Sequence, residues 1–242
     1  MIEINQFVAV IPALNPQEQL LEYVQQLYTQ GIESVVVVND GSDEKYDWIF
    51  KKLDEKSFCQ VLSNEKNEGK GYSLKKGFQY VYSNCKTCKG ILTVGAHGQH
   101  RLRDVGLILR MTKVFSNSIV LGVRNLRSSD IKVSQYIGNR VISFFFKMLF
   151  HRRLLDTQSG LRFIPRRELP WLLKVKGNDF DYDTNMLVEA IERRCQIYEV
   201  EIGSLRVKKN TILRYDEVMS IKEVIKQMRA QSTQRKDKHK KK

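Results

Sequence analysis

Apolar and polar positions alternate along the first half of the chain in a way that predicts repeated strand and helix units. Short apolar runs are separated by longer segments with apolar residues at helical spacing. Five candidate strands follow: FVAVI (Phe7–Ile11), SVVVV (Ser34–Val38), CQVLS (Cys59–Ser63), GILTV (Gly90–Val94) and SIVLG (Ser118–Gly122). Strands separated by helix-length segments predict an α/β fold with a mostly parallel central sheet, right-handed crossovers and flanking helices.

Helical spacing of apolar residues also predicts the elements between and after these strands. One helix is predicted around Leu20–Tyr28, and a second around Leu74–Val81. Further along, we predict a helix over Phe180–Arg194 and a strand over Gln196–Ile202. An apolar stripe over Val218–Met228 predicts one more amphipathic helix.

Length and composition predict one folded domain with a charged tail. The chain has 242 residues, of which 42% are hydrophobic and 28% charged, and no apolar run approaches the ~20 residues of a membrane span. We predict a single domain over residues 1–230 and a disordered basic tail over 231–242. The opening sequence lacks a basic lead-in and a cleavage site, and four cysteines without a disulfide framework suit a reducing compartment. These features predict a cytoplasmic protein.

The formal net charge of +14 is concentrated at the carboxyl terminus. The last eight residues, RKDKHKKK, carry six Lys and Arg side chains against Asp237. Such a block is too charged to fold alone and is attracted to polyanions, either anionic lipid or nucleic acid; a tail that only promotes solubility is the alternative. Because no nucleic-acid recognition motif is present, we predict no specific nucleic-acid partner.

The segment Tyr136–Leu155 combines phenylalanines with basic residues and permits two interpretations. It is too short and too interrupted by charge to span a bilayer. As a helix it can lie at the inner surface of a membrane with its basic end near the headgroups. In the other interpretation it is a core helix with its phenylalanines under the sheet.

Four polar loops follow predicted strands. They are PALN (Pro12–Asn15), NDGSD (Asn39–Asp43), NEGKG (Asn67–Gly71) and GAHGQH (Gly95–His100). Ligands of open α/β sheets bind beyond the carboxyl ends of the strands, where these loops should meet. The sequence therefore places a candidate binding site at this edge.

The chemistry of two of these loops suits a nucleotide. Asp40 can place a carboxylate against ribose hydroxyls or a base N–H, although Asp-Gly is also an ordinary turn. Gly69 and Gly71 permit close backbone approach, Lys70 supplies a cation, and the helix that follows offers its N-terminus to phosphate. A simple loop remains the alternative for each.

Taken together, these motifs and their order resemble those of glycosyltransferase family 2. The series VIPALN, VVNDGS, NEGKGYSL, GQH, GVR and LDTQSGLR spans roughly residues 5 to 205 and looks closest to enzymes that load dolichyl or undecaprenyl phosphate with a sugar. The resemblance implies a GT-A type nucleotide-sugar-binding fold. It also implies inverting transfer from a UDP- or GDP-linked sugar to an acceptor such as a polyprenyl phosphate at a membrane surface.

The resemblance further implies which residues carry the function. The implied nucleotide-sugar-binding residues are Pro12, Ala13, Asn15, Asp40, Lys70, Gln99, Arg140 and Arg162. The implied catalytic residues are Asp156, Arg124 and His97. Asp156 would act as a base for a hydroxyl acceptor or as an orienting group for a phosphate, and its alternative is to bond nearby backbone. Arg124 and Arg140 would approach the diphosphate or the acceptor phosphate.

The chain departs from the family at its metal-binding turn. That turn usually reads Asp-Ala-Asp-Gly-Gln-His, whereas Gly95 and His97 stand here in place of the two aspartates. By resemblance a divalent Mg or Mn ion is expected, but its ligands are missing, so we predict no metal-binding residue. Pro16 also replaces the usual Glu after PALN. We hypothesise metal-independent transfer, in which fixed cations and a charged His97 replace the ion.

Two functions from different classes are left open. In the first, the chain is an active transferase. In the second, it is a catalytically silent relative that binds a nucleotide sugar or a protein partner and serves as a regulatory or assembly subunit. NEGKG and DTQSGLR favour the first function, whereas GAHGQH and Pro16 favour the second. A protein partner or a homo-oligomer is compatible with either.

Overall fold

The computed structural model describes residues 7–98, 100–124, 133–203 and Lys226, with the side chains of residues 133–138 left aside. These residues form the strands β1 (Phe7–Ala13), β2 (Ser34–Asn39), β3 (Cys59–Ser63), β4 (Gly90–Thr93), β5 (Ile119–Arg124), β6 (Arg162–Pro165) and β7 (Ile197–Ile202). The helices are α1 (Gln19–Thr29), α2 (Asp47–Asp54), α3 (Lys70–Asn84), α4 (Leu102–Val114), α5 (Val133–Phe150), α6 (Leu169–Leu172) and α7 (Asp181–Glu192).

The strands form one seven-stranded sheet in the order β3-β2-β1-β4-β6-β5-β7. β1 pairs in parallel with β2 and β4, and β5 pairs in parallel with β7. β6 is antiparallel to both of its neighbours, β4 and β5. The sheet is therefore mostly parallel, as the sequence predicts.

Helices cover both faces of this sheet because alternate strand residues are apolar on both sides. Val8 and Val10 of β1 belong to a core that includes residues of α3, α5, α6 and α7. Ala9 and Ile11 belong to a second core with residues of α1, α2 and α4. The result is a three-layer arrangement with helices on both faces of the sheet.

All six strands and the three helices predicted up to residue 203 are present. β6 is the element that the sequence analysis missed. Its four residues, RFIP, are too few to show a period, and they lie at the end of the LDTQSGLR motif. The helix predicted over Val218–Met228 and the tail over 231–242 lie outside the described residues, so they and the domain boundary stay predictions.

The antiparallel direction of β6 places the LDTQSGLR motif at the candidate site. Arg162 is the first residue of β6, and it pairs with Thr93 at the end of β4 and with Leu121 of β5. Because β6 runs against these strands, its beginning lies at the edge where β4 and β5 end. The loop that precedes Arg162 therefore joins the loops that follow the parallel strands.

Helix α5 buries some of its phenylalanines, as one interpretation of the sequence predicts, whereas the membrane location of the other interpretation stays a prediction. Ile142, Phe146 and Phe150 are buried in the core, at the spacing of one helix face. Phe144 and Met148 are exposed on another face of the same helix. Part of this aromatic segment is thus a core helix, and part of it faces solvent.

Among the helices that the structure describes, α5 included, none combines the length and the apolar character that crossing a bilayer requires.

The contact between α3 and the sheet predicts a difference between two helical glycines. A Cβ at Gly77 would lie 2.5 Å from Cγ1 of Val10, whereas a Cβ at Gly106 of α4 would find its nearest atoms at 3.6 Å. We expect Gly77→Ala to lower the free energy of unfolding by about 1–3 kcal/mol through overpacking. Gly106→Ala should raise it by up to about 1 kcal/mol. Urea unfolding measures both, and equal effects would contradict the packing described here.

Candidate functional site

The PALN and NDGSD loops form one hydrogen-bonded unit at the carboxyl ends of β1 and β2. The backbone N–H of Asn15 donates to Oγ of Ser42 at 2.9 Å, and the N–H of Asp43 donates to Oδ1 of Asn15 at 2.9 Å. Asn15 has a φ of 49°, a left-handed conformation that asparagine adopts more readily than most residues. These contacts fix the half-buried Asn15 at the edge of the sheet.

Asp40 is used to hold the NEGKG loop. Its side chain is 0% exposed, and Oδ1 accepts from the amide of Asn64 at 2.8 Å and from the N–H of Glu68 at 3.1 Å. Oδ2 accepts from the N–H of Gly69 at 3.1 Å. The carboxylate therefore stands at the start of α3, where the sequence analysis expected a phosphate. Asp40 shapes this loop from within, and its contact with a nucleoside stays a prediction.

The glycines of NEGKG are required by packing within the protein. A Cβ at Gly69 would lie 2.4 Å from the carbonyl oxygen of Asn178, and one at Gly71 would lie 2.5 Å from Cβ of Tyr182. The N–H of Tyr72 also donates to the carbonyl of Asn178 at 2.9 Å. The first turn of α3 thus packs directly on the segment that leads into α7.

This packing brings Lys70 to an acidic partner on α7. Its ammonium pairs with Asp183 and lies 5.5 Å from the centre of the Phe180 ring. Nη1 of Arg162 lies 3.2 Å from the other oxygen of the same carboxylate. Burial alone would raise the pKa of Asp183, but Lys70 and Arg162 outweigh it and hold the pKa below its ordinary value.

Arg162 is held almost entirely by backbone carbonyls. It is 2% exposed, and it donates to Ser159 at 2.8 Å, to Thr157 at 2.9 Å and to the carbonyl of Asp183 at 3.0 Å. These bonds tie the LDTQSGLR loop to the first turn of α7. Arg162 therefore has a structural role in this arrangement, and its contact with a nucleotide sugar stays a prediction.

Arg124 and Asp156 form a second buried ion pair. Nε of Arg124 donates to Oδ2 of Asp156 at 2.6 Å, and Nη2 donates to Oδ1 at 2.9 Å. The N–H of Arg124 also donates to Oδ2 at 3.2 Å, and that of Gln158 donates to Oδ1 at 3.1 Å. Each carboxylate oxygen thus accepts two hydrogen bonds, and the guanidinium at the end of β5 is fixed in two directions.

His100 lies close to members of both ion pairs. It is 2% exposed, and neither of its ring nitrogens has a hydrogen-bond partner among the described residues. Burial, with the charges of Arg124 and Lys70, lowers the pKa of His100 to about 3, and Asp156 opposes the shift. The imidazole is therefore neutral at physiological pH.

Gly160 makes room for this histidine beside the lysine. A Cβ at Gly160 would lie 3.6 Å from Nε2 of His100 and 3.9 Å from Nζ of Lys70. The hydroxyl of Tyr23 anchors His100 from the other side by donating to its carbonyl at 2.9 Å. Lys70, Arg124 and Asp156 thus lie near one neutral imidazole. The whole cluster of Lys70, Arg124, Arg162, Asp156 and Asp183 contains three cations and two carboxylates, and so carries a net positive charge.

The remaining predicted residues lie at different depths. Pro12 and Ala13 are buried at the end of β1, and Arg140 is exposed on α5. His97 is half-buried in the turn after β4. Gln99 lies outside the described residues. The ligand contacts predicted for these residues stay predictions.

Asp183 is the charged residue that the sequence analysis missed. The helix that contains it is predicted from its apolar residues alone. The sequence feature that could have identified it is the acidic first turn of α7, but acidic residues at this position often only stabilise the start of a helix.

Asn139 was missed as well. It is buried on α5, where it donates to the carbonyl of Leu155 at 2.6 Å and accepts from the N–H of Thr157 at 3.0 Å. It connects α5 to the loop that carries Asp156.

Comparisons with known proteins agree with the motifs. Residues 8–168 match the family model described as Glycosyl transferase family 2. An uncharacterized protein of Methanocaldococcus jannaschii is 26% identical over 211 residues, which cover 84% of each chain. The UDP-N-acetylglucosamine–dolichyl-phosphate N-acetylglucosaminyltransferase of Methanococcus voltae is 24% identical over 213 residues, which cover 81% of this chain and 84% of that protein.

Solved structures share the fold. Glucosyl-3-phosphoglycerate synthase from Mycobacterium tuberculosis bound to UDP superposes with a TM-score of 0.68 at 14% identity, covering 95% of this chain and 80% of that one. The same enzyme bound to Mn²⁺ and UDP-glucose gives a TM-score of 0.68 at 15% identity, covering 95% and 79%. The fold is of the GT-A type, which confirms the class expected from the sequence.

The residues at this chain's metal turn do not fit a divalent ion. Gly95 and Ala96 offer no side-chain ligand, and a single imidazole from His97 suits neither Mg²⁺ nor Mn²⁺, which prefer several oxygen ligands. Within the described ranges, no three His, Cys, Asp or Glu side chains come together as a metal site would require. The role of a metal is therefore not assigned to residues of this chain.

The buried His100 predicts a pH dependence of stability. Its pKa is about 3 in the folded protein against 6.5 when exposed, so the unfolded chain binds more protons between these values. The contribution of the neutral His100 to the free energy of unfolding is therefore complete above pH 6.5 and is lost as the pH falls towards 3. In His100→Gln, the slope of the unfolding free energy against pH in this window should fall by up to about 1.4 kcal/mol per pH unit. Denaturant titrations at several pH values measure it, and parallel curves would contradict a buried neutral imidazole.

Proposed function

Because the chain belongs to glycosyltransferase family 2, we propose that it transfers a sugar from a UDP- or GDP-linked donor to a polyprenyl phosphate, with inversion of the anomeric carbon. The name of the Methanococcus voltae relative supports this acceptor, and the UDP complexes of the structural neighbours support the donor. The observation that carries the proposal is the saturated carboxylate of Asp156 in its pair with Arg124.

The contacts of Asp156 favour an acceptor that is already ionised. A hydroxyl acceptor needs a base that takes its proton, and a base needs a free lone pair that faces the acceptor. Both oxygens of Asp156 are already occupied, each by two hydrogen bonds from Arg124 or Gln158. A phosphate oxygen is ionised at neutral pH and needs no base. In this mechanism Asp156 is a positioning residue that fixes the guanidinium of Arg124.

The proposed reaction needs neutralisation of charge rather than proton transfer. An oxygen of the acceptor phosphate forms a bond to the anomeric carbon while the bond from that carbon to the donor diphosphate breaks. The nucleoside diphosphate leaves with the electron pair of that bond. Lys70 and Arg124 provide positive charge near His100, and charges fixed in position before the reaction stabilise the departing diphosphate without reorganisation.

Fixed cations also offer a substitute for the missing metal ligands. Two aspartates with a divalent ion sum to zero charge, and a glycine with an uncharged histidine and no ion also sum to zero, so the net charge of the turn is the same in these two cases. What is lost is direct coordination of the diphosphate, worth several kcal/mol and a rate factor of roughly a thousand if nothing replaces it. We propose that Lys70 and Arg124 supply this stabilisation.

For the residues on the nucleotide side we propose the roles that the family implies. Asn15 is fixed at the edge beyond β1 and would contact the nucleoside together with Pro12 and Ala13. His97 follows β4 and would lie on the diphosphate side, and Gln99 would bind the nucleotide sugar. The exposed Arg140 would meet the acceptor phosphate.

A transfer assay in the presence of chelator tests this function. We expect transfer from UDP- or GDP-linked sugars to a polyprenyl phosphate to continue at an undiminished rate in excess chelator. The matching polyprenol, which has a hydroxyl in place of the phosphate, should accept sugar at least about a hundredfold more slowly, because no general base serves it. Transfer that requires added metal, or equal use of both acceptors, would contradict the proposal.

A double variant distinguishes a transferase from a binding subunit that has no transferase activity. Gly95→Asp with His97→Asp restores the aspartate pair of the family turn and should make transfer responsive to Mg²⁺ or Mn²⁺ while the nucleotide sugar still binds. If neither the wild-type chain nor this variant transfers sugar to any acceptor, although both bind the nucleotide sugar in calorimetry, the chain is a binding subunit.

A further inference from the structure

One face of α5 and the residue next to Asp156 expose apolar side chains. Phe144 is 61% exposed, Met148 is 46% exposed and Leu155 is 49% exposed. Phe144 and Met148 are four residues apart and therefore neighbours on one side of the helix, while Phe146 is buried against the sheet. We call Phe144 and Met148 the apolar face; the exposed Leu155 lies on the loop that follows the helix.

Basic residues surround the apolar face. Lys147, His151, Arg152 and Arg153 are all exposed along the end of α5 and just beyond it. No acidic residue occurs in the sequence between Asp130 and Asp156. Exposed aromatic and aliphatic side chains with cations beside them are typical of a helix that lies in the interface of an anionic bilayer.

We propose that the apolar face docks on an anionic lipid bilayer. Phe144 and Met148 would enter the boundary between headgroups and acyl chains, while Lys147 and Arg152 would meet the anionic headgroups. A protein partner would cover the apolar side chains equally well. Lys147, Arg152 and Arg153, with no acidic residue between them and beside exposed apolar side chains, match the charged headgroups and the acyl region that a bilayer presents side by side. The combination of charge and apolar exposure therefore favours lipid.

The helix that carries the apolar face also holds the loop of Asp156. Leu155 immediately precedes Asp156, and Asn139 on the inner side of α5 holds the Leu155 carbonyl and the Thr157 N–H. Helix α5 therefore connects a docked bilayer to the loop that fixes Arg124. A role of this connection in taking up a lipid-linked phosphate rests on the function proposed above, whereas docking itself does not.

Vesicle binding tests the proposal. Full-length protein is mixed with vesicles of phosphatidylcholine and phosphatidylglycerol in equal amounts, and the bound fraction is measured by sedimentation. We expect Phe144→Gln with Met148→Gln to weaken binding about tenfold or more. The matched control is Val114→Gln, which removes an apolar side chain that is 73% exposed at the end of α4, a helix packed on the opposite face of the sheet. This control should bind like the wild-type chain.

High salt distinguishes vesicle binding through the apolar face from binding through the basic tail, which every variant retains. At about 1 M salt the Debye length is about 3 Å, so attraction of the tail to the vesicles is largely screened. The difference between the double variant and Val114→Gln should persist there. At low salt, Lys147→Gln with Arg152→Gln should weaken binding more than Lys113→Gln, which removes a cation from α4.

Insertion can be observed directly. Met148→Trp should show a blue-shifted emission with vesicles and should be quenched by lipids brominated on their acyl chains, whereas Val114→Trp should show neither effect. Circular dichroism and thermal unfolding without vesicles verify that the variants are folded.

The proposal is overturned if Phe144→Gln with Met148→Gln binds vesicles as tightly as Val114→Gln does at high salt. It is also overturned if Met148→Trp is not quenched, or if the double variant changes the oligomeric state of the protein instead of vesicle binding. Transfer to a short water-soluble acceptor phosphate is measured in parallel without vesicles. Loss of vesicle binding with this transfer intact supports docking as a separate property. Absence of transfer in every variant counts against the proposed function and leaves the vesicle result to decide the docking.

Discussion

Two buried ion pairs, Lys70 with Asp183 and Arg124 with Asp156, determine the arrangement of the whole candidate site. A buried cation is costly unless an acidic group accompanies it, so each carboxylate fixes where its cation can lie. Asp183 comes from α7 and Asp156 from the loop before β6, so these elements must meet the ends of α3 and β5. The close contacts of Gly69 and Gly71 with residues 178–182 follow from the same requirement.

This arrangement differs physically from a site that holds a metal ion. A divalent ion can coordinate diphosphate oxygens directly, but it must be captured from solution. Cations anchored to the backbone are present at all times, and their positions were set when the protein folded. His100 near these cations is neutral, because a charged imidazole would be repelled by both Lys70 and Arg124. The result is a site with a modest positive charge and little capacity to rearrange.

Much of the fold could be predicted from the sequence because it depends on local patterns. Continuous β-branched runs such as Ser34–Val38 mark strands buried on both faces, and the glycine-rich polar loops mark strand ends. β6 could not be predicted, since four residues carry no period and their antiparallel pairing is a long-range property. Helix α5 resisted a single interpretation because consecutive phenylalanines point to different sides of a helix, some inward and some outward.

The candidate site was predictable in its location but not in its partnerships. Lys70, Arg124 and Asp156 were identified through motifs, and they do lie at the carboxyl edge of the sheet. Which carboxylate pairs with which cation depends on tertiary packing, so Asp183 was missed. For the same reason, the extent to which protein groups already occupy Asp40 and Arg162 could not be foreseen from the sequence.

The central claim is that Lys70 and Arg124 bind the donor diphosphate without a metal ion. The most direct measurement is calorimetric binding of uridine and guanosine diphosphates beside their free nucleosides, all in excess chelator. The account predicts that one diphosphate binds at least about a hundredfold more tightly than its nucleoside, and that most of this advantage is lost in Lys70→Met. Equal affinities of diphosphate and nucleoside without metal would contradict it.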